Sequence, residues 1–194
     1  MAHLTAADLY SLEEYARIRS DFRKRVIEHK KHRRVAIGPN AALYFEDALT
    51  MQYQIQEMLR IERIFEPEGI QEELDVYNPL IPDGSNWKAT FMIEFDDVAE
   101  RKDALSKMLG IDQAVWVQVE GFDKVRPISN EDLERETEDK TSSVHFMRFE
   151  LAKEMVAALK EGAGLGMGID HPAYDYTVAK LASSIRNSLV EDLQ

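Results

Sequence analysis

The chain alternates between two rhythms of apolar residues. In "SLEEYARIRSDFRKRVIEHKKHRR" they recur three and four apart, at Tyr15, Ile18, Phe22 and Val26. That spacing lines one face of a helix, predicted over residues 11–33. Ser11 with Glu14 three positions on supplies a capping-box start. "RVAIGPNAALYFED" reads as a hairpin turning at "GPN". In "LTMQYQIQEMLRIERIF" a second helix is expected, with Thr50 as one candidate N-cap and a stripe of Tyr53, Met58, Ile61 and Phe65. A short acidic helix, Ile70–Tyr77, precedes a loop rich in Pro, Gly and Asn.

From Trp87 the period shortens. "WKATFMIEF", "AVWVQVEG", "SVHFMRFEL" and "GLGMGID" read as strands, and "VAERKDALSKML" and "AKEMVAALKEG" as helices between them. Asp96 or Asp97 caps the first of these helices, and Gly110 stops it. "KVRPIS" is an edge strand by virtue of Pro127, and a short charged helix is expected from Ser129. "LASSIRNSLVEDL" closes the chain as a helix. The fold class is therefore α+β, in one compact domain over 1–194 with a helical and hairpin part at 1–86 and a sheet part at 87–194. The order β-α-β-(insert)-β-α-β, with the insert near 121–142, predicts a ferredoxin-like unit.

Composition narrows the chemistry. With no cysteine, a thiol nucleophile and a cysteine-ligated cluster in this chain are excluded. No apolar run reaches the ~20 residues of a membrane helix, and "MAHLTAADLY" lacks the pattern of a signal peptide, so a cytoplasmic protein is expected. Net charge is −12, which disfavours nucleic acid at long range. The charge is uneven: residues 1–34 carry +4, while residues 35–194 carry −16. The basic run "RKRVIEHKKHRR" is expected to dock beside an acidic element, such as Glu66, Glu68, Glu72, Glu73 and Asp75, of its own chain or of a second subunit in a homodimer. The rival is a phosphate- or RNA-binding arm using Arg23, Lys24, Lys30 and Lys31.

Candidate chemistry is sparse. His145 lies among Met and Phe in a strand, either as a base or ligand or as a core histidine bonded to its neighbours. Arg148 and Glu150 share the opposite face, where ion pairing is expected. In "GIDHPAYDY", Asp170 and His171 stand where a strand gives way to a loop, with Tyr174 and Tyr176 adding aromatic faces. His145, Asp170 and His171 are the candidate ligands for iron or zinc, and Tyr174 is a candidate binding residue. "GAGLGMG" lacks the lysine of a phosphate loop, so its glycines are expected to permit close backbone approach. Glu57, near an apolar helical face, is expected to pair with Arg60 or Arg63.

Several stretches together, "DLYSLEEYARIR", "HKKHRRVAIGPN", "YQIQEMLRIERIF", "ELDVYNPLIPDGSNWKATFMIE", "DKTSSVHFMRFEL" and "GIDHPAY", resemble the bacterial family catalogued as domain of unknown function 3501. The resemblance runs over nearly the whole chain. It brings no catalytic residues. It implies an accessory or binding protein in redox or peroxide defence, partnered by a rubrerythrin-like protein or an iron–sulfur oxidoreductase. The alternative is a metal-dependent enzyme or metal carrier.

Overall fold

The structure, a computed structural model, describes residues 3–133, 135–137 and 139–194. Glu134 and Glu138, inside the expected insert, lie outside the described residues.

The first helix, α1 (Leu12–Lys30), starts where Ser11 Oγ accepts the Glu14 N–H at 3.2 Å. Its stripe of Tyr15, Phe22 and Val26 is buried against Leu49 and Tyr53. Phe22 meets Tyr10 and Tyr15 edge-on, with ring centroids 5.9 and 6.0 Å apart. The next helix, α2 (Ala48–Glu62), is capped by Asp47 rather than Thr50. Thr50 is instead the third residue of the reciprocal box, its hydroxyl accepting the Asp47 N–H at 2.9 Å. The expected stripe is also displaced. Met51, Ile55 and Leu59 are buried, while Ile61 and Phe65 are exposed. The reason is α3 (Pro67–Tyr77), whose Leu74 packs on Ile55 and Leu59 and claims that face. Arg63, at φ 58°, ends the helix before Phe65. A 3-10 turn, Asn78–Leu80, follows α3.

Among the described residues eight strands form two antiparallel sheets. β1 (Arg34–Ala36), β2 (Ala41–Phe45), β3 (Asn86–Ile93), β6 (Val144–Glu150) and β5 (Ile128–Ser129) form one, in the order β1-β2-β3-β6-β5. β4 (Val115–Val119), β7 (Leu165–His171) and β8 (Tyr174–Val178) form the other, in the order β4-β7-β8. This corrects the ferredoxin-like reading. Such a unit needs its first and last strands side by side in one sheet. Here β3 is flanked by β6 and by the hairpin strand β2, and β7 by β4 and β8, so neither has a free edge for the other. Nor does a helix begin at Ser129 among the described residues. Ser129 lies in β5, and Asn130 at φ 56° is incompatible with a right-handed turn.

One apolar core joins the two sheets. Leu43, Phe45, Trp87, Phe91 and Phe149 from the first meet Val117, Leu165, Met167 and Ile169 from the second. Between β3 and β4 run α4 (Val98–Lys107), capped by Asp97, and α5 (Ile111–Ala114). The core is closed by Leu159 of α6 (Lys153–Lys160) and Leu189 of α7 (Ser183–Val190). The buried Trp87 indole donates to the Leu189 carbonyl at 2.8 Å, which ties α7 to the sheet. A Cβ at Gly168 would stand 2.3 Å from the Trp116 ring, so the glycine lets that indole lie against β7.

Candidate functional site

The residues nominated for chemistry are engaged in holding the fold. His145 is fully buried on β6. Its Nε2 lies 3.0 Å from the Ser142 carbonyl, which can only accept, so Nε2 carries the proton. Nδ1 then accepts from Asn130 Nδ2 at 3.1 Å. Burial pushes the imidazole below its usual pKa, against the pull of Asp112. This is a core histidine fastened to Ser142, just before its strand, and to Asn130, just after β5. His171 is held the same way: Nε2 donates to Leu109 O at 2.9 Å, and Nδ1 accepts from Ala173 N–H at 3.1 Å.

Asp170 and His171 are strand residues, because Pro172 and Ala173 form a two-residue turn into β8. Asp170 is ringed by donors: Trp116 Nε1 at 2.7 Å, Lys124 Nζ at 2.9 Å and Arg126 Nη2 at 2.7 Å. Burial raises its pKa, but the bonds from Lys124, Trp116 and Arg126 outweigh it, and the carboxyl sits below its usual value. His145 and the Asp170–His171 pair lie in different sheets. Among the described residues no group of three or more His, Asp or Glu is placed to hold a metal ion. The three do not converge into the ligand set expected for iron or zinc. Tyr174 is likewise committed. Its hydroxyl donates to Ile37 O and accepts from Asn40 N–H, both at 2.8 Å, pinning the β1–β2 turn to β8.

The basic helix separates into two populations. Arg23, Lys24 and Lys31 are exposed; Lys24 meets Asp21 at 3.1 Å and Lys31 meets Glu28 at 2.5 Å, while Lys30 is half-buried 5.9 Å over the Tyr53 ring. The inward cations are Arg19 and Arg33. Arg19 grips Glu57 with two bonds of 2.7 Å, and Tyr15 donates to the same carboxylate at 2.7 Å. Glu57 therefore pairs across to α1, with Arg60 only at 3.9 Å and Arg63 not involved. The Arg19 bonds hold the Glu57 carboxyl below its usual pKa. Arg33, 2% exposed, reaches the carbonyls of Phe45 and Glu46 at 3.0 Å each, Asp192 at 2.5 Å and Asp47 at 3.4 Å. The acidic partners are thus Glu57, Asp47 and Asp192. None of Glu66, Glu68, Glu72, Glu73 or Asp75 pairs with the helix among the described residues.

What remains open is a cleft of about 710 Å³ between the α3 end and the outer face of β3 and β6. Val76, Tyr77, Pro79, Leu80 and Phe146 give it apolar walls. Arg135 stacks on Phe146, its guanidinium 4.6 Å from the ring centroid. Lys88 and Arg148, opposite one another in the β3–β6 register, enter from the sheet. Arg148 is held by two carboxylates: Glu131 takes two bonds, of 2.7 and 2.8 Å, and Glu150 a third. The Lys88 amine has no hydrogen bond or ion pair among the described residues. Burial pushes its pKa down, as does the Arg148 charge beside it; Glu131, Asp83 and Glu150 pull the other way.

Over residues 3–193 the chain matches the family described as "Protein of unknown function (DUF3501)". It belongs to that family. No curated protein matches it. Among solved structures it is similar to a novel protein of unknown function from Burkholderia pseudomallei K96243, at 49% identity, with 100% of each chain covered and a TM-score of 0.94. That likeness extends the two-sheet fold to a second chain. Within this family member, sequence reasoning nominated Arg148 but passed over Lys88 and Arg33. A lone lysine in "WKATFMIEF", on an alternating strand, was the available signal for Lys88.

Proposed function

We propose that this chain is a binding protein, whose cleft between α3 and the β3–β6 face takes a small molecule with an apolar body. The supporting observation is that cleft. It has the volume of a small-molecule site and mostly apolar walls, with a few polar groups entering from one side. The reading places the protein in the cytoplasm as an accessory of redox proteins, the role that its family resemblance implies. A neutral fluorophore tests the cleft. Nile red should show saturable one-to-one binding, lost in Val76→Trp, which fills the mouth from a position 64% exposed and leaves the core alone. Binding that is absent, or unchanged by that substitution, removes the proposal. Affinity capture from native cells tests the partners: recovery of neither an iron–sulfur oxidoreductase nor a rubrerythrin-like protein counts against the redox role.

A further inference from the structure

We infer that the molecule taken by this cleft is a monocarboxylate with an apolar body, its carboxylate paired with Lys88 Nζ. The inference rests on the cleft reading above and adds the chemical class of the ligand.

Three observations carry it. The first is the state of Lys88. Its stem is packed in the middle of β3, half-buried, and its amine ends at the cleft without an acceptor among the described residues. A partly desolvated ammonium without a partner is unfavourable, and a ligand anion would relieve it. The second is the state of Arg148, the other cation lining the cleft. Glu131 and Glu150 already take three of its five N–H donors and balance its charge, so a further anion there would sit against two protein carboxylates. Arg135, on the Phe146 ring, is paired with Asp132, so among the described residues Lys88 is the cation at the cleft with no carboxylate partner. The third is what surrounds that cation. Asp75, Glu131 and Asp132 also line the cleft. A single charge placed on Lys88 gains a short ion pair, whereas a nucleotide or another polyanion would set its further charges against these acids. The walls of Val76, Tyr77, Pro79, Leu80 and Phe146 offer no charge to the rest of the ligand. The resulting class is a fatty or aryl monoacid.

Calorimetric titration of the full chain with decanoate, decan-1-ol and decylammonium tests this, beside Nile red displacement. Decanoate should bind and displace the dye. Lys88→Met should weaken it about ten-fold or more, the loss expected for one charged hydrogen bond. Lys88→Arg should retain much of the affinity. Decan-1-ol should bind more weakly than decanoate and be indifferent to Lys88→Met. The comparison of the three ligands on the unsubstituted protein holds even if a Lys88 variant fails to fold. Decan-1-ol binding as tightly as decanoate, decylammonium binding more tightly, or decanoate insensitive to Lys88→Met would overturn the inference. If Nile red binds and decanoate does not displace it, the monocarboxylate class fails while the cleft reading stands. If neither binds, both fail.

Discussion

Arg33 is the residue on which the largest single effect is expected. It follows a basic helix end, yet it turns inward and meets two carboxylates and the carbonyls of Phe45, Glu46 and Ser188 while 2% exposed. Removing one partner of a buried ion network leaves the others uncompensated, at about 3–5 kcal/mol. Arg33→Met should lose that much in urea unfolding, and a loss below about 1 kcal/mol would refute the role. The same network gives a pH signature. Asp47 and Asp192 share one guanidinium. Burial raises Asp192, from 3.8 to about 6, against the pull of Arg33 and with the push of the Asp47 charge. A carboxyl raised on folding holds its proton better in the folded chain. Its contribution is complete below pH 3.8 and is lost as the pH rises through about 6. Asp192→Asn should remove that slope. The stability of the variant relative to the native protein should therefore climb between about pH 4 and pH 6 and then level. A flat difference across that window would show that Asp192 ionises normally. Neither effect is readable from "KKHRR", where Arg33 looks like its exposed neighbours.

At the scale of elements, Tyr174 and Gly38 join two hairpins that the chain separates by more than 130 residues. Gly38 has φ +72°, and a Cβ there would stand 2.6 Å from both the Tyr174 hydroxyl and the Tyr176 ring. Gly38→Ala should cost about 1–3 kcal/mol through backbone strain and this clash. Tyr174→Phe should cost about 1–3 kcal/mol by stranding the Ile37 carbonyl and Asn40 N–H. Because both substitutions disturb one contact, their effects should fall short of adding in a double-mutant cycle by thermal or urea unfolding. Full additivity would mean that the contact is not shared. These elements also show where sequence reasoning reached its limit. The β1–β2 hairpin is legible because "GPN" is local turn chemistry. β8 is not, because "HPAYDY" has the composition of a loop and becomes a strand only by pairing with β7. The division into two sheets is hidden for the same reason. Periodicity locates a strand and its faces, but its neighbours are set by which edges remain free after collapse.

For the whole molecule, the cleft could not be foreseen from any one stretch, since residues 75–80, 88, 131–132 and 146–148 meet there only through the tertiary fold. The charge asymmetry, by contrast, was legible, and the structure resolves what it does. The apolar stripe of α1 seats the helix; Arg19 in it and Arg33 just beyond it carry charge inward, and His29 meets Asp47 at 2.5 Å. Arg23, Lys24 and Lys31 are left on the solvent side, and Lys30 lies over the Tyr53 ring, in a chain of net charge −12. Exposed pairs such as Lys24–Asp21 and Lys31–Glu28 add little to stability. Replacing all four cations with glutamine should therefore leave the unfolding midpoint nearly unchanged, in contrast with Arg33→Met. If those cations served instead as an arm for RNA or phosphate, affinity would fall steeply with salt as condensed counterions are released. The acidic remainder of the chain opposes that use at long range. A labelled RNA oligonucleotide at about 0.1 M salt, where the screening length is about 10 Å, should show no binding in an anisotropy titration. Tight binding that weakens as salt is raised, and disappears in the fourfold glutamine variant, would make the outward face of α1 a nucleic-acid surface and reverse this assignment.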